Sequence, residues 1–266
     1  MLLAMSRWIG VDVGGRRRGF DVAMIDEQRL LVLAGGLDRE AVVELVAVEQ
    51  PRVVAIDSPR CCAPTGRTAR AGERLLVRTI CGIRWTPDRA TVEGNPYYAW
   101  IVEGLKLFEA LADLDIETIE VFPTASWTRW FGPRDARTRA TWTELGVARL
   151  GLDALPSCTN QDERDAIAAA MTARQYSECG TEAIGEIVVP TALTPGGEPL
   201  ISVSVELAPQ ETVGWPERKQ WWRNLKDGAQ VEMRIRGQRR VGHAQARGDE
   251  RTGVSVEVEL NPDLGG

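Results

Sequence analysis

The chain has 266 residues, 44% of them hydrophobic and 26% charged, with a formal net charge of −6. No apolar run approaches the ~20 residues that a bilayer-spanning helix needs, so a membrane protein is excluded. The negative total offers nucleic acid no global attraction, and any contact with it must come from local Lys and Arg.

The elements follow in chain order. Arg7 to Val13 and Phe20 to Ile25 are apolar, β-branched runs around the turn Gly14 to Gly19, which reads as a hairpin. Leu30 to Ala34 adds a third antiparallel strand. Asp38 can cap a helix whose apolar face ends near Gln50, before Pro51. Val53 to Ile56 is a short continuous apolar run that opens into Asp57-Ser58-Pro59, as a buried strand does at its end. Helices are predicted over Ala69 to Arg78, Tyr97 to Leu114, Ala125 to Phe131, Arg139 to Leu150 and the alanine-rich Asn160 to Tyr176. Strands are predicted over Glu117 to Phe122 and Glu186 to Pro190. Beyond Thr191, Pro and Gly become frequent and alternating runs appear at Ile201 to Leu207, Val231 to Ile235 and Val254 to Leu260. Two domains are therefore expected, 6–190 and a small β-rich module over 191–266.

Several chemistries drop out early. His243, the sole histidine, sits in the tail module, so no Ser-His-Asp or Cys-His mechanism is expected in the main domain. A GxxxxGK[ST] phosphate loop is absent. Cys61, Cys62, Cys81, Cys158 and Cys179 form neither a paired framework nor a CxxC site and read as free thiols. Met1 to Ser6 lacks the features of a secretory signal, so a cytoplasmic location is expected.

What stands out is acid in apolar places. Asp12 lies between Val11 and Val13, where an ionised carboxylate is costly unless a cation or hydrogen bonds compensate. Asp57 repeats this at a second strand end, and Asp162 and Asp165 are three apart on one helix face. Each has a plainer reading: Asp162 suits the positive end of a helix dipole, Asp165 can be solvated, and Asp57 can close a turn. Together, four converging carboxylates meet what Mg²⁺ or Mn²⁺ requires, since hard cations take oxygen ligands. Two such ions ~3.5–4 Å apart stabilise both the attacking and the leaving oxygen of an in-line displacement, which is phosphodiester hydrolysis. Glu120, between Ile119 and Val121, is a further candidate catalytic acid, although alternation can also turn it to solvent.

These residues resemble the predicted ribonuclease H-like nucleases of domain of unknown function 429, over about residues 6–190. The likeness rests on Gly10-Val11-Asp12 before a glycine turn, Ala55-Ile56-Asp57-Ser58-Pro59, Glu73 and Arg78 in a charged helix, Glu120-Val121-Phe122-Pro123, and Asp162-x-x-Asp165-Ala166. It implies an α/β, ribonuclease H-like fold of five mixed strands with flanking helices; the last motif is similar to the paired aspartates of Holliday-junction resolvases. A metal-dependent nuclease acting on DNA or RNA is the expectation, with Asp12, Asp57, Asp162 and Asp165 as metal ligands. Arg16, Arg17 and Arg18 follow Asp12, while Arg60, Arg67 and Arg78 follow Asp57, placing guanidiniums where a phosphate backbone could be gripped. A solvated basic surface is the plainer alternative. Trp127, Trp130 and Trp142 could stack bases but fit a core better. Two other functions stay open: a catalytically silent scaffold that binds nucleic acid or protein, and an ATP-binding phosphotransferase of the actin and sugar-kinase type, suggested by Asp12-Val13-Gly14-Gly15. The tail, with Trp221-Trp222, Val231 to Gly237 and Val241-Gly242-His243-Ala244, resembles part of the split-barrel deazaflavin-dependent nitroreductase-like family, in which a tryptophan-containing helix precedes paired strands. For it, packing or homodimer formation is the expected role.

Overall fold

A computed structural model describes residues 6–14, 18–191, 201–202, 225–235, 238–249 and 253–260, and the chain divides into two units, 1–190 and 191–266. The first opens with β1 (Trp8–Val13), β2 (Phe20–Ile25) and β3 (Leu30–Leu37), each antiparallel to the one before. Asp38 accepts a hydrogen bond from the Ala41 N–H and starts α1 (Arg39–Glu49), which leads to β4 (Val53–Asp57). Then come α2 (Ala71–Thr79), α3 (Arg89–Gly94), a 3₁₀ turn at Pro96–Tyr98, α4 (Ala99–Ala112) and β5 (Glu117–Val121). Next follow α5 (Pro123–Phe131), α6 (Arg139–Val147), α7 (Gln161–Ser177), β6 (Thr181–Ile184) and β7 (Ile187–Pro190).

The strands form one sheet in the order β3-β2-β1-β4-β5-β7-β6. β1, β4, β5 and β7 run parallel, and β6 pairs antiparallel with β7. An antiparallel β3-β2-β1 ribbon continued by two parallel strands gives the five mixed strands, with flanking helices, that the sequence led one to expect of this α/β fold. The β6–β7 hairpin extends it by two strands. Only its second strand was expected, because Thr181–Ile184 carries too short and too mixed a pattern to stand out. α3 was likewise not expected; six residues cannot complete a periodic face.

Strand alternation divides the sheet's two faces. Ile9, Val11, Val54 and Ile56 turn into a core shared with Val42 and Val46 of α1 and Leu107 and Leu111 of α4. The other face carries Gly10, Asp12, Ala55 and Asp57 toward α7. An added Cβ at Gly10 would stand 2.1 Å from the Ala170 nitrogen and 2.2 Å from the Ala166 oxygen, so helix and strand meet backbone to backbone. Ala166, Ala169, Ala170 and Ala173 are fully buried. The alanine content of α7 thus serves close approach as well as helix propensity. Its start is fixed by a reciprocal cap: Glu163 N–H donates to Asn160 Oδ1 (2.9 Å) and Asn160 N–H to Glu163 Oε2 (2.7 Å).

In the second unit, β8 (Ile201–Ser202), β9 (Ala229–Ile235), β10 (Gln238–Asp249) and β11 (Gly253–Leu260) form a sheet ordered β11-β10-β9-β8. The β8–β9 pair is parallel and the other two antiparallel. β10 contains Val241 to Ala244 of the tail resemblance, although no alternating run was read there, and most of the expected strand after Ile201, together with Trp221 and Trp222, lies outside the described residues. No helix among the described residues is long and apolar enough to cross a membrane.

Candidate metal centre

β1 and β4 pair in parallel with Asp12 directly beside Asp57. Parallel neighbours in register point the same way, here toward α7, and the Asp57 carboxylate accepts a hydrogen bond from the Asp12 carboxyl. Burial, followed by repulsion from Asp57, Asp165, Asp162 and Asp21, pushes the Asp12 carboxyl well above the usual carboxylate range. Burial and then Asp165 push Asp57 up to about 8, while Arg139 pulls the other way. In the absence of a cation the pair therefore retains a proton near neutrality.

The antiparallel partner of Asp12 is Asp21 on β2, also on the α7 face and buried. Gly35 on β3 makes room for it, since a Cβ there would stand 2.5 Å from Asp21 Oδ1. Burial and then Asp162 raise its pKa. Among the described residues, one carboxylate oxygen each from Asp12, Asp21 and Asp162 lie within 4.8 Å of one another. Asp21 is absent from the sequence-derived set, yet the signal was present. A hairpin closing through Gly14 and Gly19 places residue 12 opposite residue 21.

Asp162 and Asp165 reach the same cleft from the first turn and a half of α7. Asp162 lies 3.4 Å from the Arg18 guanidinium. Asp165 is buried and held by three donors: Trp127 Nε1 (3.2 Å), Gln161 Nε2 (3.0 and 3.1 Å) and Arg139 Nη2 (2.7 Å). Burial still outweighs those donors and raises its pKa.

Glu120 lines the cleft but has other partners. Its register beside Ile56 gives it the opposite parity from Asp57. The Arg70 guanidinium grips it in a fork at 2.7 and 2.5 Å, and the Arg60 N–H donates to it at 2.9 Å. Arg70 Nε also reaches Glu73 (2.9 Å), which in turn accepts from the Thr86 N–H. Arg70, Glu73 and Glu120 are all buried, so this network fastens α2 and the loop after β4 to β5.

The cleft has a volume of ≈ 680 Å³, and its cations are Arg18, Arg70, Arg84 and Arg139. Among the sequence candidates, Arg16 and Arg17 lie outside the described residues. Arg60 places its guanidinium over the Phe108 ring at 5.5 Å, and Arg67 and Arg78 are exposed away from the lining. Trp127, Trp130 and Trp142 are buried core residues. No described residue forms an ion pair with Asp12, Asp21 or Asp57. Asp12 and Asp21, two of the three acids in that close cluster, have no ion-pair partner among the described residues, an arrangement of hard oxygen donors that suits a divalent ion.

No family model and no curated protein matches the chain. Among solved structures it is similar to Thermus thermophilus RuvC, at 16% identity and a TM-score of 0.38, over 65% of this chain and 96% of that one. It is also similar to T. thermophilus RuvC in complex with a Holliday junction substrate, at 14% identity and a TM-score of 0.40, over 66% of this chain and 96% of that one.

Proposed function

We propose that the first unit is a metal-dependent nuclease that hydrolyses phosphodiester bonds in DNA or RNA. The observation that carries this reading is the Asp12–Asp57 pair, set in register on adjacent parallel strands and joined by Asp21 and Asp162, with no ion-pair partner among the described residues for three of the four. Asp12, Asp57, Asp162 and Asp21 would hold Mg²⁺ or Mn²⁺. When bound, such a cation supplies charge stabilisation to the attacking and leaving oxygens of an in-line displacement. Asp165, gripped by Arg139, Gln161 and Trp127, orients the start of α7 and joins the ligand set when Arg139 turns away. Arg18, Arg84 and Arg139 bind phosphate oxygens at the rim, and the Arg70–Glu120 fork keeps the loop after Asp57 in place.

Mn²⁺-supported cleavage of single-stranded, duplex, hybrid and branched substrates tests this, with the native protein beside Asp57→Asn. Cleavage that needs both Mn²⁺ and Asp57 is the expected result. The second reading, a catalytically silent scaffold, draws on the Arg139–Asp165 ion pair, which already neutralises one acid. Failure to bind Mn²⁺ by calorimetry, with no Asp57-dependent cleavage, would favour it.

A further inference from the structure

α4 presents Trp100, Gly104 and Phe108 at four-residue intervals, a spacing that puts them on one face with about 5–6 Å between neighbouring Cβ positions. The loop leaving β4 covers two of these positions. Ser58 fills the notch at Gly104, where an added Cβ would stand 1.9 Å from Ser58 Oγ. Arg60 lies over Phe108. Trp100 has no ring or cation partner among the described residues and lines the cleft, half-buried, in company with Ile83, Arg84 and Phe122. Trp100 and the Asp12, Asp57, Asp162 carboxylates line the same cleft.

Two further observations bear on this wall. Ser58 lines the same cleft, and its hydroxyl, packed at Gly104, is buried with no hydrogen-bond partner among the described residues, so the wall at Gly104 is closed by a fixed side chain. Of the other described tryptophans, Trp8, Trp127, Trp130 and Trp142 are core, and the exposed Trp85 carries the Arg74 guanidinium over its ring at 4.9 Å and does not line the cleft. The cleft's ≈ 680 Å³ falls within the ~300–1,000 Å³ of pockets that enclose small ligands, a size that suits a nucleotide.

We propose that this wall takes an unpaired nucleobase, stacked on Trp100 between Ile83 and Phe122, with Arg84 facing its phosphate. The proposal rests on the nuclease reading of the adjacent carboxylates and adds the class of substrate. A base inside a duplex has both faces covered by its neighbours, so an indole can take it only from a single strand or after extrusion. The substrate therefore carries an unpaired base beside the bond that is cut.

Fluorescence anisotropy of the full chain tests this with four labelled probes of equal length: single-stranded DNA, single-stranded RNA, the matching DNA duplex, and an oligomer of abasic sugar-phosphate units. Trp100→Ala should weaken single-strand binding about 5- to 150-fold, the range set by one base–aromatic stack, and Trp100→Phe should keep most of the affinity. Duplex and abasic binding should be unchanged by either substitution. The native protein should itself prefer the single strand to the abasic oligomer by a similar factor, a comparison that needs no variant to fold. Equal native affinity for those two probes, or single-strand affinity indifferent to Trp100→Ala, overturns the proposal. Mn²⁺-dependent cleavage that is lost in Asp57→Asn, combined with Trp100-indifferent binding, sinks the stacking wall alone. Trp100-dependent binding without such cleavage keeps the wall and sinks the nuclease reading.

Discussion

Replacing Asp57 by Asn should stabilise the metal-free protein, and by more as the pH rises. The Asp57 carboxyl is pushed by burial and by Asp165 from 3.8 to about 8 in the folded chain. An acid whose folded pKa lies above its unfolded one favours the native state fully below the unfolded value. That contribution is lost as pH climbs toward the folded value, because the unfolded chain releases the proton first. At ~1.36 kcal/mol per pH unit, going from about pH 5 to about pH 7.5 costs the native state at most about 3 kcal/mol. Asp12 shares the proton through its hydrogen bond to Asp57, so the loss belongs to the pair. For a unit of this size about 3 kcal/mol corresponds to roughly 6–12 °C in melting temperature. No imidazole confuses the window, since the one histidine, His243, lies in the second unit. Differential scanning calorimetry in chelator across this pH range, on the native chain and Asp57→Asn, reads the effect directly. The native transition should fall while that of the variant falls much less, and Mn²⁺ at about pH 7.5 should restore only the former. A native transition that stays level from pH 5 to 7.5, or one that falls equally in Asp57→Asn, refutes the electrostatic account.

Two other substitutions probe the frame around the centre. Gly10→Ala drives a methyl into the α7 backbone and should destabilise the first unit by about 1–3 kcal/mol, visible as a lower denaturation midpoint and accompanied by weaker Mn²⁺ binding in calorimetry. Arg70→Met leaves Glu73 and Glu120 buried without their cation and should cost about 3–5 kcal/mol in urea unfolding. Adding Glu120→Gln to Arg70→Met should recover part of that loss, and a double variant no more stable than the single one would count against the network.

The elements were largely legible because their signals are local. Phe20 to Ile25 is read from six residues alone, and the Asp38 and Asn160 caps announce the helices that follow. The pairing of Asp12 with Asp57 was within reach too, since acids at the ends of buried strands invite a shared explanation. What stayed hidden depends on partners remote in the chain. Arg70 reads as one of a crowd of surface arginines until β5 brings Glu120 against it, fifty residues away. Arg60 looked free for phosphate, yet it lies over the Phe108 ring. Asp21 is the exception, a near neighbour in the chain that the hairpin register alone sets opposite Asp12.

The touching main chains at Gly10 and Ala170 also decide where the cleft can give. With no side chain between them to change rotamer, β1 and α7 travel as a single piece, carrying one carboxylate on the strand and two on the helix at a set spacing. Adjustment to an incoming ligand therefore falls on the facing bank, the stretch from Gly82 to Trp100, where short elements and turns replace a continuous helix.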